Sequence, residues 1–287
     1  MNSLGMTLYR RGSALLAGRG LRRYALVNRL NSFVLRCVRP REAVVLGHRM
    51  LIDRHDSLEL SIKGIYEPLE TRIAEKLVTP GGCVVDIGAN IGYYTLLCAR
   101  RAGPAGQVYA FEPEPENFSL LQQNVRRNGY NNVQLENAAV SNTTGNLNLF
   151  ISQENHGDHR VYASETDERR TVSIRAVRLD DYFADDPPLI DLLKMDIQGA
   201  EGRALEGMKT LLQCRPPRAI LTEFWPLGLR RAGTNASDML RLLESMGYQL
   251  AHLDERRGEP VSISATELLE QFTEANGHQT NLLARHE

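Results

Sequence analysis

The 287-residue chain lacks any uninterrupted apolar run near the roughly 18 residues that a membrane-spanning helix requires. Its opening segment also lacks the compact apolar stretch and small-residue cleavage site of a secretory signal, because arginine recurs throughout it. Cysteine is scarce: Cys37, Cys83, Cys98 and Cys214 stand far apart, with neither a C-x-x-C pair nor the Cys/His spacing of a zinc site. They read as small core residues of a reduced, cytoplasmic protein, and no metal site is expected. A formal net charge of −1 gives no global electrostatic case for nucleic acid as the main partner. There is no P-loop and no G-x-S-x-G elbow, so kinase and hydrolase readings have no site, and without G-x-G-x-x-G a nicotinamide-dependent dehydrogenase is disfavoured. One absence is local. Residues 1–41 contain nine arginines and no Asp or Glu, leaving 25 basic against 35 acidic residues for the rest.

That arginine-rich opening, 1–41, has a helical pattern: Tyr24, Val27, Val34, Leu35 and Val38 share one face and Arg22, Arg29 and Arg36 lie opposite. It reads as a helical extension packed on the core, with peripheral membrane or partner contact as the functional alternative. The rest, 42–287, reads as one domain. Val44 to Leu46 and Arg49 to Ile52 predict a small hairpin around Gly47 and His48. From residue 69 onward strands and helices alternate, which predicts an α/β fold, a doubly wound and mostly parallel sheet covered on both faces. Its strands are expected at Cys83 to Ile87, Gln107 to Phe111, Val133 to Glu136, Ile190 to Met195 and Ala219 to Phe224. Helical stripes follow the second (Phe118, Leu121, Val125) and the fifth (Met239, Leu242, Leu243, Met246). Residues 141–177 depart from the alternation: Gly145 to Ile151 and Thr171 to Val177 read as strands around a polar stretch, Ser152 to Arg170, long enough for a substrate loop.

The first of these strands runs directly into Asp86-Ile87-Gly88-Ala89-Asn90-Ile91-Gly92 and then a helix. Glycine is needed in such a turn because the backbone must bend sharply and admit a ligand without a Cβ in the way. The spacing is G-x-x-x-G with a carboxylate, Asp86, at its entrance. A pyrophosphate would be repelled there, whereas a cofactor carrying an ammonium and a sulfonium would be attracted. A second acid, Glu112, ends the next strand, 24 residues after Gly88, where a carboxylate can accept both hydroxyls of a ribose.

Four segments together carry a resemblance: Gly64-Ile65-Tyr66-Glu67-Pro68, VVDIGANIGYYT at 84–95, YAFEPEPENF at 109–118 and LLKMDIQGAE at 192–201. Over roughly residues 45–255 the chain resembles the FkbM-type family of class I S-adenosylmethionine-dependent methyltransferases. The resemblance implies a Rossmann-like sheet with a final antiparallel strand, for which Thr280 to Arg285 is the candidate, and O-methylation of a hydroxyl on a sugar, lipid-linked glycan or natural-product scaffold. By position, Asp86, Gly88, Asn90 and Gly92 match the cofactor turn, Glu112 the ribose acid, and Asn137 the place where such folds contact adenine. Glu67 is an acceptor for the cofactor's ammonium or else a helix-capping acid. The family's D-x-E-G-x-E motif reads Asp196-Ile197-Gln198-Gly199-Ala200-Glu201 here, so an amide replaces its central carboxylate.

Methyl transfer from sulfonium to oxygen needs alignment and a proton acceptor. Asp196, at the end of the fourth strand, is the first candidate for that acceptor, with helix capping as its bland alternative. His159, with His156 beside it in the polar loop, and Glu223, beside Trp225 at the end of the fifth strand, are the others. His156 and His159 with Asp158 or Asp196 form only an incomplete metal set. Trp225 stacks on a sugar or fills core. Two further functions stay open: a module that binds cofactor without turnover and recruits a partner, favoured by Gln198, and an N-methyltransferase acting on RNA or protein, favoured only by the basic extension.

Overall fold

The computed structural model describes residues 40–152, 159–163 and 169–286, in two compact units, Met1–Tyr66 and Glu67–Glu287. The expected arginine-rich helix, with Cys37, therefore lies outside the described residues, as do His156 and Asp158. Among the described residues no helix is long and apolar enough to cross a membrane.

In the first unit β1 (Glu42–Val45) and β2 (His48–Leu51) pair antiparallel, and a short helix, α1 (Leu60–Lys63), follows. Leu46 and Gly47 both take positive φ, 48° and 86°, which is the backbone of a tight two-residue hairpin turn. Leu46 thus belongs to the turn rather than to the strand expected at Val44 to Leu46. The hairpin lies in this first unit.

The second unit contains, in chain order, α2 (Pro68–Leu77), β3 (Cys83–Ile87), α3 (Tyr93–Ala102), β4 (Gln107–Phe111), α4 (Pro115–Arg127), β5 (Val133–Glu136), β6 (Ala139–Val140), β7 (Gly145–Ile151), β8 (Arg170–Val177) and α5 (Leu179–Tyr182). It continues with β9 (Ile190–Met195), α6 (Glu201–Glu206), α7 (Lys209–Cys214), β10 (Ala219–Phe224), α8 (Pro226–Arg231), α9 (Ala236–Ser245), β11 (Tyr248–Asp254), β12 (Glu259–Ser262), α10 (Ala265–Gln271) and β13 (Thr280–His286). Eight strands form one sheet in the order β12-β11-β13-β10-β9-β3-β4-β5. The pairs β5/β4, β4/β3, β3/β9 and β9/β10 are parallel. The final strand β13 inserts antiparallel between β10 and β11, and β12 pairs antiparallel with β11. This is the Rossmann-like, mostly parallel architecture with its late antiparallel strand. Apolar runs such as Val84, Val85 and Ile87 suit these strands because both faces of the sheet are covered.

The departure at 141–177 is a second, three-stranded sheet in the order β6-β8-β7. The hairpin β7/β8 is antiparallel, and Arg160 bridges back to Phe150, so the described part of the polar loop returns along β7. Cys98 is buried, but Cys83 is only half-buried and Cys214 is exposed, so the cysteines are not uniformly core.

Two consequences of this sheet position the site. Chain order reverses at β3, with β4 on one side and β9 on the other, and a crevice opens at such a switch point beyond the carboxyl ends of the strands. Register then sorts the side chains. Asp86 lies opposite Lys194 and Leu221 opposite Lys194, so Asp86, Lys194 and Glu223 share one face. Ile87, Phe111 and Met195 pack into the core on the other.

Candidate active site

Beyond the carboxyl ends of β3, β4 and β9 lies a cleft open to solvent. Its floor and apolar walls are Ile87, Phe111, Ala138, Ala139, Val140 and Leu149. Its polar lining includes Asn90, Glu112, His159, Asp196 and Gln198, with no Lys or Arg among the described residues.

The glycine turn forms one rim. Gly88 has φ +81°, and a Cβ there would stand 2.1 Å from the Asp196 carbonyl oxygen, so this close approach of the β3 turn to the β9 turn requires glycine. The amides of Gly88 and Ala89 both donate to the Phe111 carbonyl, at 2.9 and 3.0 Å. Asn90 takes the left-handed conformation, φ 50°, which aims its amide at Glu112 Oε2, 2.8 Å away. Gly92, φ +96°, does not line the cleft. It begins α3 and leaves room for Leu121, whose Cδ1 would be 2.8 Å from a Cβ.

Glu112 follows β4 with its carboxylate held by two backbone amides, Asn90 to Oε2 and Glu114 to Oε1 at 2.9 Å. Burial pushes its pKa up to about 8, and the two amides oppose that shift. The carboxylate keeps lone pairs toward the cleft it lines. Asn137 is exposed, outside the cleft lining, and its amide donates to the carbonyls of Glu112 and Pro113 at 2.8 and 3.2 Å. It fixes the loop that carries Glu112, and Ala138 to Val140 supply the wall instead.

Asp86 also departs from its expected place at the entrance. Because strand side chains alternate and Ile87 faces the cleft, Asp86 points to the opposite face, where it is 1% exposed and accepts from Thr95 Oγ1 at 2.6 Å. Burial raises its pKa while Lys194 and Thr95 pull it down. On this face lies a group that the sequence reading missed. Lys194 is 4% exposed, its Nζ stands 3.6 Å from Asp196 Oδ2 and 4.5 Å from the Tyr94 ring centroid. Burial lowers its pKa, but the carboxylates of Asp196, Asp86, Glu67 and Glu70 outweigh that and hold it above the usual lysine range. Tyr94 in turn donates to Glu67 Oε2 at 3.1 Å and Glu70 Oε2 at 3.0 Å. Glu67, in a left-handed conformation at φ 40°, makes no side-chain cap to α2, so helix capping is not its task. A lysine in the strand run Leu192 to Met195, otherwise apolar, was the signal in the sequence for this cluster.

Asp196 lines the cleft with Oδ1 2.8 Å from Gln198 Nε2. It does not cap α6: the amide of Ile197 is taken by Glu201 Oε1 at 3.0 Å. His159 reaches the cleft as well, its Nδ1 accepting from the Ser152 amide at 3.0 Å. Glu223 ends β10 on the Lys194 face outside the cleft lining, 6% exposed, with Oε2 lacking a hydrogen-bond partner. Burial and then Asp196 and Glu201 hold its pKa well above the usual carboxylate range. Trp225 is buried, backed by Gly228 and covered by the Arg160 guanidinium 5.0 Å from its ring. Among the described residues no His/Cys/Asp/Glu group could hold a metal ion.

These residues fit S-adenosylmethionine. Apolar walls suit a flat purine, Glu112 offers a pair of carboxylate oxygens to a ribose, and Gly88 admits close approach. The comparisons agree. A model of the methyltransferase FkbM domain matches residues 86–250. Methyltransferase 1 of Beauveria bassiana is 29% identical over 144 residues, covering 44% of this chain and 57% of that protein. A hexuronic acid methyltransferase of Haloferax volcanii is 26% identical over 160 residues, 55% of this chain and 59% of that protein. A 2-O-methyltransferase of Sinorhizobium fredii is 27% identical over 203 residues, 62% of this chain and 80% of that protein. The chain thus spans a little over half the length of the first two relatives. With the sheet order and the glycine turn in place, the chain belongs to the FkbM methyltransferase domain family, whose cofactor is S-adenosylmethionine.

Proposed function

We propose that the chain is an O-methyltransferase acting on a hydroxyl of a sugar, glycan or natural-product scaffold, with Asp196 as the group that accepts the hydroxyl proton. S-adenosylmethionine supplies an electrophilic methyl on a sulfonium leaving group. Glu112 and the Gly88 turn hold the cofactor, the Ala138 to Val140 wall orients it, and Asp196 positions the acceptor and takes its proton. The observation that carries this reading is the placement of Asp196 in the same cleft as Gly88 and Glu112, with its carboxylate uncommitted to capping the following helix. The names of the Haloferax and Sinorhizobium relatives, a hexuronic acid methyltransferase and a 2-O-methyltransferase, favour a carbohydrate hydroxyl. His159 lines the cleft from the inserted loop and is assigned to the acceptor side.

Calorimetric titration with S-adenosylhomocysteine, with NAD in parallel, tests the cofactor half of the reading. Micromolar binding of the first alone is the expected outcome, and binding of neither overturns it. Transfer of labelled methyl to a panel of uronic acids, neutral glycosides and hydroxylated lipids tests the other half. Labelling of nitrogen in RNA or protein with no hydroxyl acceptor labelled would replace O-methylation with N-methylation.

A further inference from the structure

Gln198 stands where the related motif has a carboxylate, and its geometry is costly in two ways. It is not glycine, yet it adopts φ 56°. The turn around it is also held from three directions: the Asp196 amide donates to the Ile87 carbonyl at 3.1 Å, the Tyr162 hydroxyl donates to the Gln198 carbonyl at 2.7 Å, and Gly199, φ +99°, lies against the Gly228 backbone. A strained position that its surroundings enforce points to a use for the side chain. That side chain reaches the Asp196 carboxylate, with Nε2 2.8 Å from Oδ1. Only the amide nitrogen can face a carboxylate there, because an ionised Asp solely accepts. Lys194 Nζ approaches the other oxygen, Oδ2, at 3.6 Å from the opposite face of the sheet.

We infer that Gln198 and Lys194 are positioning residues that clamp Asp196, a hydrogen-bond donor on one carboxylate oxygen and an ammonium in ion-pair contact with the other, and so fix it as a proton acceptor directed into the cleft. The inference rests on the role proposed above for Asp196. It gives the amide a function that a carboxylate at 198 cannot perform in its ionised form: a Glu there would place two acids within hydrogen-bond reach, competing for one proton. The other titratable groups near Asp196 are acidic, namely Glu201, Glu223, Glu70 and Asp86, so the clamp supplies the donors that none of them does when ionised. Lys194 is locked in its charged form by the same carboxylates, whereas Gln198 is reachable by mutation without emptying the core.

Two arms test this. In the first, glutamine side-chain amides are labelled with 15N and followed by NMR across pH; the Gln198 signal is the one absent from Gln198→Gly. It should move as Asp196 takes up its proton and become independent of pH in Asp196→Asn. An identical response in Asp196→Asn overturns the clamp. In the second, Gln198→Gly and Gln198→Glu are assayed with whichever hydroxyl acceptor is labelled best in the panel above. Gln198→Gly, which relieves the left-handed backbone, should retain or raise the thermal midpoint and bind S-adenosylhomocysteine within twofold, yet lose at least tenfold in kcat. Gln198→Glu should move the acid limb of the pH–kcat profile about one unit or more to higher pH. Full turnover with an unchanged profile in both variants overturns the proposal. If no acceptor is labelled or S-adenosylhomocysteine does not bind, the methyltransferase reading is what fails, and the NMR arm still judges the clamp.

Discussion

Glu112 meets two opposing demands. Its burial favours the neutral acid and raises the pKa to about 8, while acceptance of two ribose hydroxyls requires the anion. If Glu112 takes the ribose as proposed, cofactor binding expels a proton near neutrality. Affinity for S-adenosylhomocysteine should rise by up to tenfold per unit between about pH 6 and pH 8 and level off above, and proton release should be visible by calorimetry in buffers of different ionisation enthalpy. Glu112→Gln should weaken binding about tenfold or more and abolish this dependence; an unchanged slope would remove Glu112 as the linked group. Asp196→Asn addresses the other end of the cleft. It should lower kcat by about 100-fold or more, the usual scale for a lost general base, with S-adenosylhomocysteine affinity within twofold. A fully active variant would transfer the proton-accepting role to His159.

At the scale of elements, the site depends on how closely two turns meet. Gly88→Ala places a Cβ against the Asp196 carbonyl in a backbone conformation that alanine resists, so it should cost about 1–3 kcal/mol and reduce cofactor binding together with stability. Strand β13 has a comparable position in the scaffold. Leu283 is 1% exposed and pairs with Leu221 of β10 on one side and Ala251 of β11 on the other. Leu283→Pro removes a ladder donor from a central strand as well as a buried side chain, and a loss of about 3 kcal/mol or more is expected in denaturant titration. Wild-type stability in that variant would mean that the β10-β13-β11 order is not maintained in solution.

For the molecule as a whole, the buried acids set how stability varies with pH. Burial raises Glu112 to about 8 and Glu201 to about 7, and it holds Glu70 and Glu223 well above the usual range. Each such group binds a proton in the folded chain that it has already lost in the unfolded one. Their contribution is complete below the unfolded carboxylate pKa, near 4.3, and fades as pH rises through the folded values. The cofactor-free protein should therefore melt several degrees lower at pH 8.5 than at pH 5.5, and Glu112→Gln should flatten part of that slope. A midpoint that climbs over this interval would contradict the burial of these acids.

What the sequence determined by itself is what local patterns encode. The five parallel strands fall where apolar runs end in glycine or polar turns, because a strand buried on both faces admits little else. The Gly88 turn and Glu112 were legible because backbone close to a ligand needs glycine and a ribose needs an acceptor at a strand end. Thr280 to Arg285 was placed through the family resemblance. What only the tertiary structure decided is direction and company. Asp86 sits in the right turn but faces away from the cleft, since the pleat and not the motif sets which side it takes. Asn137 bonds its own loop, and Lys194 is hidden in a strand beside the acids Asp196, Asp86, Glu67 and Glu70. The small sheet β6-β8-β7, the insertion of β13 between β10 and β11, and the donors on Asp196 arise from pairings between residues distant in the chain. No window of sequence contains such pairings, so they are fixed only when the chain has folded.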